Sequence, residues 1–198
     1  MRYDEGHSEK TKNRVVKIAA AQMRKHGPDK VGVADVMGRA GLTHGGFYAH
    51  FDSKDDLIAA AVDRMFEESR ARFREWTDGK DRPEALRSYI NAYVSRAHRD
   101  KPESGCAIAA LSSDIRRQGS KARSAYDRGV NSLLNSIASL LGEEDGVKRR
   151  TLAQSMLAEM TGAVAAARAV ADETLSDEIL ASARRSLRAR AGLAELQK

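Results

Sequence analysis

The stretch Val31–Leu57, VGVADVMGRAGLTHGGFYAHFDSKDDL, holds two short helical tracts around a glycine turn. Val33 to Ala40 predicts one helix, Gly41 ends it, and Thr43 suits the N-cap of another that runs through Phe51. A helix, a tight glycine-containing turn and a second helix form the unit that reads a DNA groove. Val36, Leu42, Phe47 and Phe51 are apolar where short helices must share a small core. Gly41 fits the left-handed turn, and Gly45 allows close approach to a partner or a phosphate.

Upstream, Val15, Ile18, Ala19, Gln22 and Met23 mark one stripe of an amphipathic helix, which His26-Gly27-Pro28 should stop. Residues 1–9 are polar and are expected to fray. Downstream, Ser53 and Asp56 resemble a capping box that opens a long helix. Its stripe of Ile58, Val62, Met65, Phe66, Phe73 and Trp76 runs to Asp78-Gly79-Lys80. Pro83 should open the next helix, with Leu86, Ile90, Tyr93, Val94 and Ala97 on one side and Asp100-Lys101-Pro102 as its stop. Further helical tracts are expected over 106–116, 121–141, 147–171 and 176–191. The expected organisation is a helix-turn-helix domain over residues 8–54 and a larger helical body over 55–198.

Composition agrees with an all-α fold: 198 residues contain 3 prolines and 5% aromatics, and good helix formers dominate. The net charge of +6 favours a polyanionic partner, and residues 1–54 carry +4 of it. Cys106 is the single cysteine, which excludes an intramolecular disulfide and a cysteine-based zinc site within one chain, so a reducing cytoplasm is expected. The start MRYDEGHSEK lacks a signal-peptide core, and no apolar run approaches the ~20 residues of a membrane span. No Gly-Lys phosphate loop, His-Glu-x-x-His metal motif or Gly-x-Ser-x-Gly elbow occurs, so neither an enzyme nor a cofactor or metal site is expected.

The same stretch resembles the N-terminal signature of TetR-type transcriptional repressors through Val33, Val36, Ala40, Gly41, Leu42, Thr43, Gly45, Phe47, Tyr48, His50, Phe51, Lys54 and Leu57. The resemblance spans about residues 10–60. It implies an N-terminal three-helix DNA-binding domain followed by a ligand-binding and dimerisation domain, acting as a homodimer on double-stranded, near-palindromic operator DNA. The DNA-binding residues so implied are Thr43, Gly45, Tyr48, His50 and Lys54, with Lys12 and Arg14 as helpers and His44 as the base reader. Two positions depart from the pattern: Gly46 offers a base no side chain, and Gly32 stands where a hydroxyl residue usually caps the second helix.

The family's homodimers pair their last two helices, which makes Leu152, Met156, Met160, Val164, Ile179, Ala183 and Leu187 candidates for either that interface or the intrachain core. An inducer cavity among the middle helices is also implied. Its candidate lining is Tyr89, Tyr93, His98, Cys106, Tyr126, Met156 and Met160, which mix apolar bulk with polar tips. Cys106, placed by Pro102-Glu103-Ser104-Gly105 at a helix start, suggests an alternative in which the thiol senses an oxidant or electrophile.

Overall fold

The computed structural model describes residues 5–193, and these contain helices but no strand. Helix α1 (Glu5–His26) buries Val15, Val16, Ala19, Ala20 and Met23, and ends where Gly27 takes φ 79°. It is helical from Glu5, so residues 5–9 do not fray as expected; residues 1–4 lie outside the described residues.

Helix α2 (Val33–Arg39) begins at Gly32, whose extended backbone supplies an N-cap without a side-chain hydrogen bond. It closes with a Schellman turn: Gly41 N–H donates to the Gly38 carbonyl at 2.9 Å and Leu42 N–H to the Met37 carbonyl at 2.9 Å. Gly41 has φ 70°, the left-handed conformation that a side chain would strain.

The next element is a 3-10 helix over His44–Ala49, not the α-helix through Phe51 expected from the sequence. Thr43 is extended and precedes it, but its side chain caps nothing. Two glycines at its start favour this short tight form, because they weaken helix propagation and leave no capping bond to extend it.

Ser53 then caps the long α3 (Lys54–Thr77). Its hydroxyl accepts from Asp56 N–H at 3.1 Å and donates to the Asp56 carboxylate at 2.7 Å, a variant of the expected capping box.

Helix α4 (Arg82–Tyr93) is shorter than its apolar stripe predicts. Ser95 donates to the Ala92 carbonyl and accepts from His98 N–H, so it starts a separate α5 (Arg96–Asp100) and leaves Ala97 exposed. The tract expected over 106–116 likewise divides into α6 (Ala107–Leu111) and a 3-10 turn at Ile115–Arg117. Ser112, Ser113 and Asp114 lie at the break, and such short polar side chains favour turns over helix interiors.

Helices α7 (Ser120–Leu140), α8 (Gly146–Ala169) and α9 (Glu173–Arg190) complete the body. Asp145 and Asp172 cap the last two by accepting from the first backbone N–H groups. Met156, Met160, Val164, Ala183 and Leu187 are buried within the chain, whereas Leu152 and Ile179 are half-buried. The first five therefore serve the protomer's own core. The outer face of α8 instead presents Ala158, Gly162, Ala165 and Ala169.

Candidate nucleic-acid interface and ligand cavity

The helix-turn-helix is held by a compact aromatic and aliphatic core. Phe47 is buried and stacks on Phe51 at 5.4 Å, with Val36, Met37 and Ala40 packed in the same core. Burying Phe47 pushes its neighbour outward: Tyr48 is 68% exposed and meets Phe47 edge-on at 5.3 Å, which restricts its ring while leaving its hydroxyl outside. Thr43, His44, Gly45 and Lys54 are also exposed, and His50 is half-buried as the C-cap of the 3-10 helix. On α1 Lys12 sits over the Phe51 ring at 5.3 Å, bringing a further cation beside the reader.

A Cβ on Gly45 would meet nothing within 4 Å, so no neighbour in the protein requires glycine there. A Cβ on Gly46 would contact Met37 at 3.7 Å and Thr43 at 3.8 Å, so that position faces its own module.

A residue with no place in the sequence reading joins this module to the body. Arg24 of α1 is 6% exposed; its guanidinium donates to Glu68 at 2.7 Å, to the Glu103 carbonyl at 3.1 Å and, more weakly, to the Met65 carbonyl at 3.4 Å. Burial pulls this guanidinium down from its ordinary value, and Glu68 opposes the shift. Burial alone would raise Glu68, but Arg24 and Arg64 outweigh it and hold the carboxyl below the usual range. Both groups are charged near neutral pH. A second link lies at the Gly27–Asp29 turn, where Gln118 donates to Asp29 at 2.7 Å and Arg117 pairs with Asp29 at 3.5 Å.

Four of the expected ligand residues come together. Tyr89, Tyr93, His98 and Cys106 line one cavity with Ser69, Arg72, Trp76 and Leu133. Its volume of about 10 Å³ accommodates roughly one water molecule. Tyr126 is half-buried and turns to Phe66, edge-on at 5.7 Å, while Met156 and Met160 are fully buried core. These three do not line this cavity.

His98 organises the floor. Its Nε2 accepts from Cys106 N–H at 2.9 Å, which places its proton on Nδ1, facing the Tyr93 carbonyl at 2.7 Å. Burial, reinforced by Arg168, Arg72 and Arg24, lowers its pKa to about 4, against the opposing bond to Tyr93. Cys106 is 2% exposed and precedes α6 as its N-cap. Burial also raises the Tyr89 and Tyr93 hydroxyls well above their ordinary values, so both are neutral donors. The Tyr93 hydroxyl is buried with no oxygen or nitrogen acceptor.

Residues 15–61 match the family model for bacterial regulatory proteins of the tetR family. A TetR transcriptional regulator from Chloroflexus aurantiacus has a similar structure, with 27% identity, a TM-score of 0.74, and coverage of 92% of this chain and 96% of that one. Residues 15–61 carry the tetR-family domain, and the chain has the fold of a TetR-type regulator.

This fold is shared more widely. The reduced form of Escherichia coli NemR matches at 20% identity and TM-score 0.77, covering 91% of this chain and 96% of that one. A TetR-family regulator from Cytophaga hutchinsonii matches at 19% identity and TM-score 0.78, covering 97% and 98%. No curated protein gave a significant match. Among the described residues, no helix is long and apolar enough to cross a membrane, and no cluster of three His, Cys, Asp or Glu side chains could hold a metal.

Arg24 at the joint and Arg72 at the cavity are the positions least visible in sequence. Arg24 continues the buried row Val16–Ala20 at four-residue spacing, a cation on an apolar face, and that was the available signal. Arg72 shares one face of α3 with Ser69 and Trp76, but nothing local indicates that this face meets Gly105.

Proposed function

We propose that this chain is a cytoplasmic, ligand-responsive repressor, not an enzyme, and that it binds a near-palindromic operator as a homodimer. The observation that carries DNA contact is the outward Tyr48, held by Phe47 and flanked by exposed His44 and Lys54. Phosphate contacts fall to Thr43, Tyr48, His50 and Lys54, the Gly45 backbone approaches the same strand, and His44 reads a base edge. Dimerisation uses the outer faces of α8 and α9, where Ala158, Gly162, Ala165 and Ala169 permit close helix approach.

Ligand response is supported by the route from cavity to reader. The segment Glu103–Cys106 ends at the cavity floor, and its Glu103 carbonyl accepts from Arg24 of α1. Displacing that segment would therefore load the reader's first helix.

Genome-wide mapping of bound DNA, followed by anisotropy titration of a bound fragment, tests the proposal. Tyr48→Ala with Lys54→Ala should weaken operator binding at least about tenfold and flatten its salt dependence by about one unit of slope. Equal binding of operator and random duplex by the wild type, or unchanged binding by the double variant, counts against it.

A second reading, oxidant or electrophile sensing at Cys106, is favoured by the placement of this thiol among Tyr93, His98 and Arg72 at the cavity. Cys106→Ser should then abolish oxidant-induced operator release; an unchanged response removes this reading.

A further inference from the structure

Three guanidinium groups act on His98 from α1, α3 and α8: Arg24, Arg72 and Arg168. Among the described residues, Arg24 alone of the three forms an ion pair, with Glu68, and Glu68 is shared with Arg64. Arg72 makes only long contacts, to the Ser69 hydroxyl at 3.3 Å and the Gly105 carbonyl at 3.4 Å. Arg168 donates to the His98 and Arg99 carbonyls at 2.5 and 3.0 Å. Glu68 offsets Arg24, and the Asp100 and Glu103 carboxylates act on Arg168, which leaves Arg72 as the cation that lines the cavity without an ion pair.

The cavity also contains a donor in need of an acceptor. The Tyr93 hydroxyl is buried with no oxygen or nitrogen acceptor, and its polar neighbour is the Cys106 thiol, a weak acceptor, so its bonding capacity is poorly met. Neither ring nitrogen of His98 is available to it, because one faces the Tyr93 carbonyl and the other accepts from Cys106 N–H. An unpaired cation, Arg72, and a hydroxyl without a strong acceptor together call for an anionic acceptor. The remaining lining, Trp76, Tyr89 and Leu133, is largely apolar and suits carbon more than water.

We propose that this cavity receives the carboxylate of a small organic acid, with Tyr93 and Arg72 as its donors and its carbon skeleton laid along Trp76 and Leu133. The inference rests on the ligand-responsive reading and names the chemistry of that response. A bare inorganic anion would use the donors but gain nothing from Trp76 and Leu133. An uncharged ligand would leave Arg72 uncompensated. Seating the acid widens the cavity beyond one water, and Arg72 can yield by exchanging its long contact to Gly105 for the carboxylate. That exchange frees the turn whose Glu103 carbonyl holds Arg24.

Calorimetric titration of the full-length, DNA-free protein with acetate, butyrate and benzoate tests the assignment, with benzamide and inorganic phosphate as contrasts. At least one carboxylate should bind, and benzamide should bind at least about tenfold more weakly than benzoate if benzoate is that ligand, from loss of a charge-assisted bond. Tyr93→Phe and Arg72→Gln should each weaken the carboxylate about tenfold. Circular dichroism confirms folding of both; Tyr93→Phe keeps the ring and removes a hydroxyl without an oxygen or nitrogen acceptor. No heat from any of the three acids up to about 10 mM, which bounds Kd to the millimolar range, overturns the proposal. So does tighter binding of phosphate, equal binding of benzamide, or unchanged affinity in both variants. Because no DNA is present, failure here leaves operator binding standing, and failure to find an operator leaves this titration readable.

Discussion

His98 ties the end of α4 to the start of α6, since one imidazole engages both the Tyr93 carbonyl and Cys106 N–H. Its folded pKa of about 4 lies below the ordinary 6.5. Above pH 6.5 neither the folded nor the unfolded chain protonates this ring, and its contribution to stability is fully present. As pH falls through that value the unfolded chain gains a proton that the folded chain refuses, so stability is lost down to about pH 4. We expect His98→Gln to be less stable than wild type at pH 7 but to show a shallower decline between pH 6.5 and 4. Urea unfolding across that range measures both, and parallel declines would show that His98 does not carry the pH dependence.

At the scale of elements, the closest packing is between α3 and α7. Gly129 is buried, and a Cβ there would lie 2.0 Å from a ring carbon of buried Phe66. Two effects of Gly129→Ala oppose each other. Helix propensity would gain about 1 kcal/mol, while overpacking a rigid core typically costs about 1–3 kcal/mol. Contact this short against a ring lets overpacking win, so Gly129→Ala should lower the unfolding midpoint. Adding Phe66→Leu should recover part of the loss, and additive effects in that double-mutant cycle would exclude the clash as the cause.

The elements also separate what local pattern encodes from what it does not. Long helices were legible because their stripes repeat over many turns: α3, α7, α8 and α9 lie close to their expected ranges. The Gly41 turn was legible because one residue type suits a left-handed backbone. The breaks at Ser95 and Ser112–Asp114 were not, since an apolar stripe continues across them and only side-chain hydrogen bonding reveals the interruption. The assignment of Met156 and Met160 required knowing which face of α8 turns inward. Convergence of Arg72, Tyr93, His98 and Cys106 depends on four segments distant in sequence, and periodicity within one segment carries no such information.

Across the whole molecule, the helix-turn-helix module leans on the helical body. Helix α1 packs on α3, and the three acceptors of Arg24 belong to α3 and to the Glu103 turn. A fragment of residues 1–54 would lose every one of them and retain a small core, near the size at which domains become marginal. We expect that fragment to have weak helical circular dichroism and no measurable operator affinity. A sharp cooperative melt in the fragment would show that α1 to the 3-10 helix are self-sufficient.

The Arg24 anchor also bears on engineering. A chimera spliced immediately before Lys54 would give the incoming reader an arginine facing a foreign α3, with its charge buried and no designed acceptor. A workable splice must carry Met65 and Glu68 along with the reader and rebuild a backbone carbonyl where Glu103 supplies one. The helix-turn-helix can thus be exchanged between such proteins only together with a piece of the helical body beneath it.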